Sequence, residues 1–420
     1  MAPTHFLVIS SPFFGHVRPI FTFAMNLLVM YPELHITFVT TGTISPAFTP
    51  PFDRELTLYG LEDGPRSRLN VKLLGQGELE SVMAQIMSII DLFPEFLREL
   101  LTPDPLSFSP FKFLPALTVV DIMALPAVDI LDDIAPQKIP VLCYTPTNAA
   151  MLNLYFIHRD EYPETYWRHI YHKAEAQVTC GLHEGMNIDQ IAFKIWLKAS
   201  HVVAQTASLP PMYNHELNPQ SDLLDTDEKT VSQVNQARVR VAISITNSIS
   251  KLDGFIIHTS PLMEPGEVEE MRQTSPEHRF FHIGPQYPEL WWNGGIPPQV
   301  QVLSPEDDQV MSFLNDMHKR YGANSVLYIS FGTYILPPNA PHLFDALIKT
   351  ILTADPPLPF LFARATGNQM LTPKHREEIE KSGLGLLAGF VPQQAVLKHE
   401  AIGWYLCHAG SNSISESFLK

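Results

Sequence analysis

Basic side chains are in short supply. Of 420 residues, 28 are Lys or Arg against 44 Asp or Glu, a formal net charge of −16. That balance argues against a nucleic-acid or anionic-membrane surface, because phosphate-rich partners demand clustered cations. Cysteine is scarcer. Cys143, Cys180 and Cys407 stand far apart with no C-x-x-C or Cys/His spacing, which excludes a disulfide framework and a thiolate metal site. They are expected to be buried, reduced thiols of a cytoplasmic protein. The N-terminus, Met1-Ala2-Pro3-Thr4, lacks a cationic region, so no signal peptide is expected. The longest apolar run, Phe113 to Leu131, is broken by Asp121, Asp129 and prolines; no transmembrane segment is expected. No Walker-type G-x-x-x-x-G-K-[ST] occurs, and Gly383, Gly385 and Gly389 miss the dinucleotide spacing by one residue and lead into Pro392 rather than a helix. An oxidoreductase reading is rejected on that ground.

What remains is a chain that is 45% hydrophobic and 17% charged, able to bury large cores and long enough for two domains. His5 to Ser10 is a short apolar run of the kind buried on both faces of a parallel sheet. It ends in Pro12-Phe13-Phe14-Gly15-His16-Val17-Arg18-Pro19, followed by a helical run from Ile20 to Met30. Gly15 is expected to allow a sharp turn and Pro19 to open the helix. His16 then stands at a strand's carboxyl end beside a helix N-terminus, where open α/β sheets bind ligands. Ile36 to Thr41, Asn70 to Leu74, Leu117 to Asp121 and Ile139 to Thr145 continue a βαβ pattern. Asp121 closes its strand, a position where an Asp is commonly a helix cap. Ser81 to Leu101 has helical apolar spacing. The aromatic stretch from Met151 to Leu197 reads as helical packing plus ligand contacts, its scattered histidines lacking a metal-ligand pattern.

Gly254 to Thr259 and Phe280 to Pro285 read as strands, and the Pro-rich residues 286–303 as an interdomain linker. The expected division is 1–250, a connecting segment and linker over 251–303, and a second domain over 304–420. In that domain Ser304-Pro305-Glu306-Asp307 starts a helix by cap, proline and acidic first turn. Ser325 to Ser330 is a strand followed by Phe331-Gly332-Thr333, and Leu358 to Ala363 and Leu384 to Phe390 are further strands. The last thirty residues run Phe390-Val391-Pro392-Gln393-Gln394, Leu397-Lys398-His399, then His408-Ala409-Gly410-Ser411-Asn412-Ser413 and Glu416. Here an apolar strand, Ile402 to Cys407, gives way to a helix beginning near Ser413, with polar side chains and free amides where an anion is favoured.

This terminal tract resembles the donor-binding signature of the family 1 UDP-sugar glycosyltransferases, W-x-P-Q, a spacer, L-x-H, then H-x-G-x-N-S-x-x-E. The G-H-x-x-P tract at Gly15 to Pro19 and the S-F-G-T turn at Ser330 to Thr333 are similar to two more of that family's motifs. The resemblance implies a GT-B fold, an α/β architecture of two Rossmann-like domains facing each other across a cleft. It implies that His16 is the catalytic base and that Asp121 is its hydrogen-bond partner. It also implies that Phe390 stacks on uracil and Val391 pairs with it through the backbone. Gln393 and Glu416 would hold the ribose. His408, Gly410, Asn412, Ser413 and Thr333 would surround the phosphates. The implied reaction is metal-independent, inverting transfer of a hexosyl group from a UDP-sugar, the only co-substrate, to a hydroxyl of a small, lipophilic acceptor. No other cofactor is implied. An Asp225-Thr226-Asp227 triplet, the metal mark of a different transferase architecture, sits in a hydrophilic stretch and reads as solvated surface. The sequence stops four residues after Glu416, ahead of the family's sugar-gripping G-x-P and P-x-x-x-[DE]-Q segment. The second domain is therefore expected to be incomplete at its C-terminus, and the alternative reading is a truncated, inactive nucleotide- or ligand-binding protein.

Overall fold

The structure, a computed structural model, describes residues 4–41, 65–75, 82–102, 109–157, 165–198, 203–217, 233–287, 292–293, 305–332, 341–363, 371–389 and 391–418. The chain divides into two compact units, the first including Leu61–Gln286 and the second Tyr287–Lys420. The strands of the first are β1 (Thr4–Ile9), β2 (Leu34–Thr41), β3 (Leu69–Leu74), β4 (Leu117–Asp121) and β5 (Val141–Thr145). A short ribbon of β6 (Val203–Ala204) and β7 (Met212–Tyr213) follows, then β8 (Gly254–Ile257) and β9 (Arg279–His282). Seven of these form one parallel sheet in the order β3-β2-β1-β4-β5-β8-β9. Central strands such as β1 and β4 are apolar runs with no exposed face, as a sheet covered by helices on both sides requires.

The 251–286 stretch therefore belongs to the first sheet: β8 pairs with β5 and β9 with β8. Most of the expected linker over 286–303 lies outside the described residues, as does Asp225-Thr226-Asp227. The helix after β1 runs over Phe14–Met30, six residues earlier than the sequence suggests, so Gly15 is helical and Pro19 lies inside the helix. Proline there removes the bond to the Gly15 carbonyl, but Val17, Ile20, Phe21, Ala24, Met25 and Leu28 bury a continuous face, which outweighs one lost bond. The helix Val82–Leu101 packs Ile89, Phe93 and Leu97 onto Leu7, Ile9, Val39 and Val120. The aromatic stretch forms its own cluster, with Trp167, Ile170, Phe193 and Val239 buried together and Trp167 stacked on Trp196 at 5.6 Å. Cys180 is exposed rather than buried, because it caps the helix Trp167–Thr179 at its solvent end.

The second unit holds β10 (Val326–Ser330), β11 (Phe360–Ala363), β12 (Gly385–Ala388) and β13 (Ile402–Cys407), all parallel, in the order β12-β11-β10-β13. The helix Pro305–Tyr321 covers one face through Val310, Leu314 and Met317. Phe344 and Ile348 of the helix Pro341–Leu352, with Ile379 of Pro373–Ser382, cover the other. The two glycines that gesture at a dinucleotide loop have local reasons instead. Gly383 is a left-handed helix C-cap, and Gly385 lies against the Phe360 ring, where a side chain would not fit. Among the described residues no helix is long and apolar enough to cross a membrane.

Candidate active site

In each sheet the strand order reverses at one place, between β1 and β4 in the first and between β10 and β13 in the second. At such a switch point the two connections leave in opposite directions and open a crevice at the strands' carboxyl ends. His16 follows β1 and Asp121 ends β4, so residues 105 positions apart become neighbours. The His16 Nδ1 lies 2.8 Å from Asp121 Oδ2. The Asp121 side chain is fully buried, whereas 25% of the His16 side chain reaches solvent, and Phe13 packs beside the imidazole at 5.3 Å. Asp121 Oδ1 accepts from the Met123 backbone N–H at 2.9 Å. Cap and partner are thus the same residue, one oxygen for each role. A carboxylate oxygen accepts, so the imidazole carries its proton on Nδ1 and keeps its lone pair on Nε2.

The same logic builds the second site. Gly332 follows β10, and His408, Gly410 and the helix Ser411–Ser417 follow β13. Gly332 has a φ of +74°, and a Cβ there would stand 2.6 Å from His408 Cε1. Glycine is needed for both the backbone and the space. Ala409 is also left-handed, at φ +58°, a conformation that costs a non-glycine residue roughly 1–2 kcal/mol and turns the chain sharply between His408 and Gly410. Burial lowers the His408 pKa, with the nearby Ser330 carbonyl opposing it. Its Nδ1 is buried without a well-formed hydrogen bond among the described residues. The ring's Nε2 lies against both Gly332 and Gly410, where a Cβ at either position would collide with it, so the two glycines leave the imidazole room beside a ligand.

Gln393 and Glu416 meet directly, Gln393 Nε2 donating to Glu416 Oε2 at 2.6 Å. Glu416 is 3% exposed, and Gln394 Nε2 donates to its other oxygen at 2.8 Å. Ser413 is buried in the first turn of the terminal helix, which begins at Ser411, two residues before the sequence-based start. Val391 is buried against the second sheet's core. Thr333 and Phe390 lie outside the described residues. His399, the last residue of the L-x-H tract, is structural, since its Nδ1 accepts from the Ala401 N–H at 3.1 Å and its Nε2 faces Asn315 Oδ1 at 3.2 Å. Among the described residues no group of three His, Cys, Asp or Glu side chains gathers to hold a metal.

No protein-family model matches the chain. Individual relatives do. UDP-glycosyltransferase eriJ of Hericium erinaceus is 35% identical over 107 residues, which is 25% of this chain and only 21% of that protein. UDP-glycosyltransferase 71D1 of Arabidopsis thaliana is 23% identical along 99% of this chain and 78% of its own length. Among solved structures, Medicago truncatula UGT71G1 complexed with UDP-glucose superposes with a TM-score of 0.63 at 17% identity, covering 99% of this chain and 78% of that one. UDP-glucose:anthocyanidin 3-O-glucosyltransferase in complex with UDP superposes with a TM-score of 0.64, again at 17% identity, 99% and 78%. Along nearly its whole length the chain is similar to UDP-glycosyltransferases. Its fold is GT-B, two Rossmann-like units with parallel sheets. Three residues of the second site were given no role by the sequence: Gln394, Tyr328 and Tyr405. The tyrosines lie opposite each other in register on β10 and β13. The only sequence signal was a tyrosine inside each strand, and nothing in one strand tells which other it will adjoin.

Proposed function

We propose that this protein transfers a hexosyl group from a UDP-sugar to a hydroxyl of a small, lipophilic acceptor with inversion at the anomeric carbon. The observation that carries the reading is the 2.8 Å bond between His16 and the buried Asp121 carboxylate. It sets Nε2 as the base. Nε2 removes the acceptor's hydroxyl proton as that oxygen bonds to the anomeric carbon, the bond to the UDP phosphate oxygen breaks, and Asp121 steadies the imidazolium. General-base assistance of this kind contributes about 10²–10⁴ in rate. His408, Asn412 and Ser413, with Thr333, meet the charge on the departing UDP, so the mechanism calls for no metal. Phe390, Val391, Gln393 and Glu416 hold the uridine, and Gly410 leaves room beside the phosphates. A protein that only bound nucleotide would have no use for the Asp–His pair of the first unit. We place the reaction in the cytoplasm, where thiols such as the exposed Cys180 stay reduced.

The test has two parts. UDP at about a hundred times its dissociation constant is expected to stabilise the fold by roughly 2.7 kcal/mol, and His408→Ala to abolish that shift. UDP release from a panel of UDP-sugars with hydroxylated aromatic acceptors is expected to persist in EDTA and to vanish in His16→Ala, whose melting still responds to UDP. A cooperative melt that ignores UDP would overturn the proposal.

A further inference from the structure

Two tyrosines in the second unit are wired into the donor site without touching any atom that reacts. Tyr328 on β10 and Tyr405 on β13 stand opposite each other, their rings stacked at 4.8 Å and 12°. Both hydroxyls donate to one acceptor, the side-chain oxygen of Gln393, at 3.0 and 3.1 Å. An amide oxygen has two lone pairs, and here both are occupied. The amide does not flip, because its oxygen would then face the Glu416 carboxylate, an acceptor against an acceptor. The Gln393 NH₂ is thereby committed to Glu416 Oε2 at 2.6 Å while Gln394 holds the other oxygen. With one amide on each oxygen, the carboxylate is held in one orientation. Burial raises the pKa of both tyrosines, so they remain donors throughout the neutral range.

We propose that Tyr328 and Tyr405 are positioning residues that make the donor site selective for a ribonucleotide over its 2′-deoxy counterpart. They lock the Gln393 amide, the locked amide aligns Glu416, and the aligned carboxylate accepts the ribose hydroxyls. The inference rests on the UDP-binding reading above and adds to it the groups that fix its sugar discrimination.

The experiment measures dissociation constants for UDP and for 2′-deoxy-UDP in the wild-type chain, Tyr405→Phe, Tyr328→Phe and the double variant. Phenylalanine keeps the stacked rings and removes only the donors. Each single variant is expected to weaken UDP about fivefold, the scale of one buried hydrogen bond, while 2′-deoxy-UDP changes by under about twofold. The double variant is expected to fall short of the product of the two, since both hydroxyls act on one oxygen. Equal weakening of both nucleotides would mark a merely structural role and overturn the inference, as would a preference that survives both substitutions. Failure of the wild type to bind UDP would sink the donor-site reading itself, and this inference with it. UDP binding with no preference for ribose would remove the inference alone.

Discussion

Asp121 joins two roles that a single substitution can separate. Its Oδ1 caps the turn at Met123, and its Oδ2 holds the His16 proton on Nδ1. Asparagine can still accept from the Met123 N–H, but toward His16 it offers an NH₂, which favours the tautomer with no lone pair at Nε2. Asp121→Asn is therefore expected to melt close to the wild type while turnover falls by about 10²–10⁴. Asp121→Ala loses both roles and is expected to cost about 1 kcal/mol in addition. Urea melts alongside single-turnover rates check the pair, and full activity in Asp121→Asn would remove Asp121 from the mechanism. Position alone suggested a cap and resemblance suggested a partner; both readings describe one carboxylate.

The connection after β5 is held by acids supplied from a distant element. The helix Ala149–Tyr155 begins with amide groups that have no partner within it. Asn148 takes the Met151 N–H, and the buried Glu264 carboxylate takes those of Ala149 and Ala150 at 2.8 and 2.9 Å. Next along, Glu267 bonds Asn153 at 2.7 Å and the Ser208 N–H at 3.0 Å, while Glu270 bonds the Ala207 N–H at 2.7 Å. Burial opposes ionisation of Glu264, but hydrogen bonds from His282, Thr259 and the two amides outweigh it, and its pKa is lowered. A lowered carboxylate contributes stability above its unfolded value, near 4.3, that is lost as pH falls through the folded one. Glu264→Ala is expected to cost about 2–4 kcal/mol, Glu264→Gln less, and both to flatten the acid limb of a stability–pH curve below about pH 4. An unchanged acid limb in Glu264→Gln would show that this carboxylate is not what acid titrates. The Glu264 caps could not be read from the chain, because Glu264 lies more than a hundred residues from the amides it holds.

At the scale of the molecule, a buried histidine makes stability fall on acidification well before the carboxylates titrate. His258 is 1% exposed, bonds the Tyr144 hydroxyl at 2.8 Å through Nδ1, and burial pushes its pKa down to about 4. Between the unfolded value of about 6.5 and that folded value, only the unfolded chain binds the proton. The stability it confers is complete above about pH 6.5, declines through the window and levels near pH 4, a loss of at most roughly 3 kcal/mol. His258→Gln, which preserves an acceptor for Tyr144, is expected to flatten that slope in melts from pH 7 to 4; an unaltered slope would assign it to other groups. The two-sheet α/β architecture was legible because short apolar runs and turn residues are local signals, and β4 and β13 fall on the residues the pattern marks. The helix start at Phe14 was misplaced because Pro19 outweighs its neighbours in a local reading, whereas burial of the face from Val17 to Leu28 decides the fold. Likewise the strands at 254–257 and 279–282 looked like a connecting segment until pairing placed them in the first sheet. Sequence by itself determined which residues could act, since His16, Asp121, His408 and Glu416 announce themselves by type, spacing and resemblance. Only the tertiary structure decided which of them meet. Strand order brings residue 16 to residue 121 and Tyr328 to Tyr405, and strand order is set by long-range packing that no local pattern encodes.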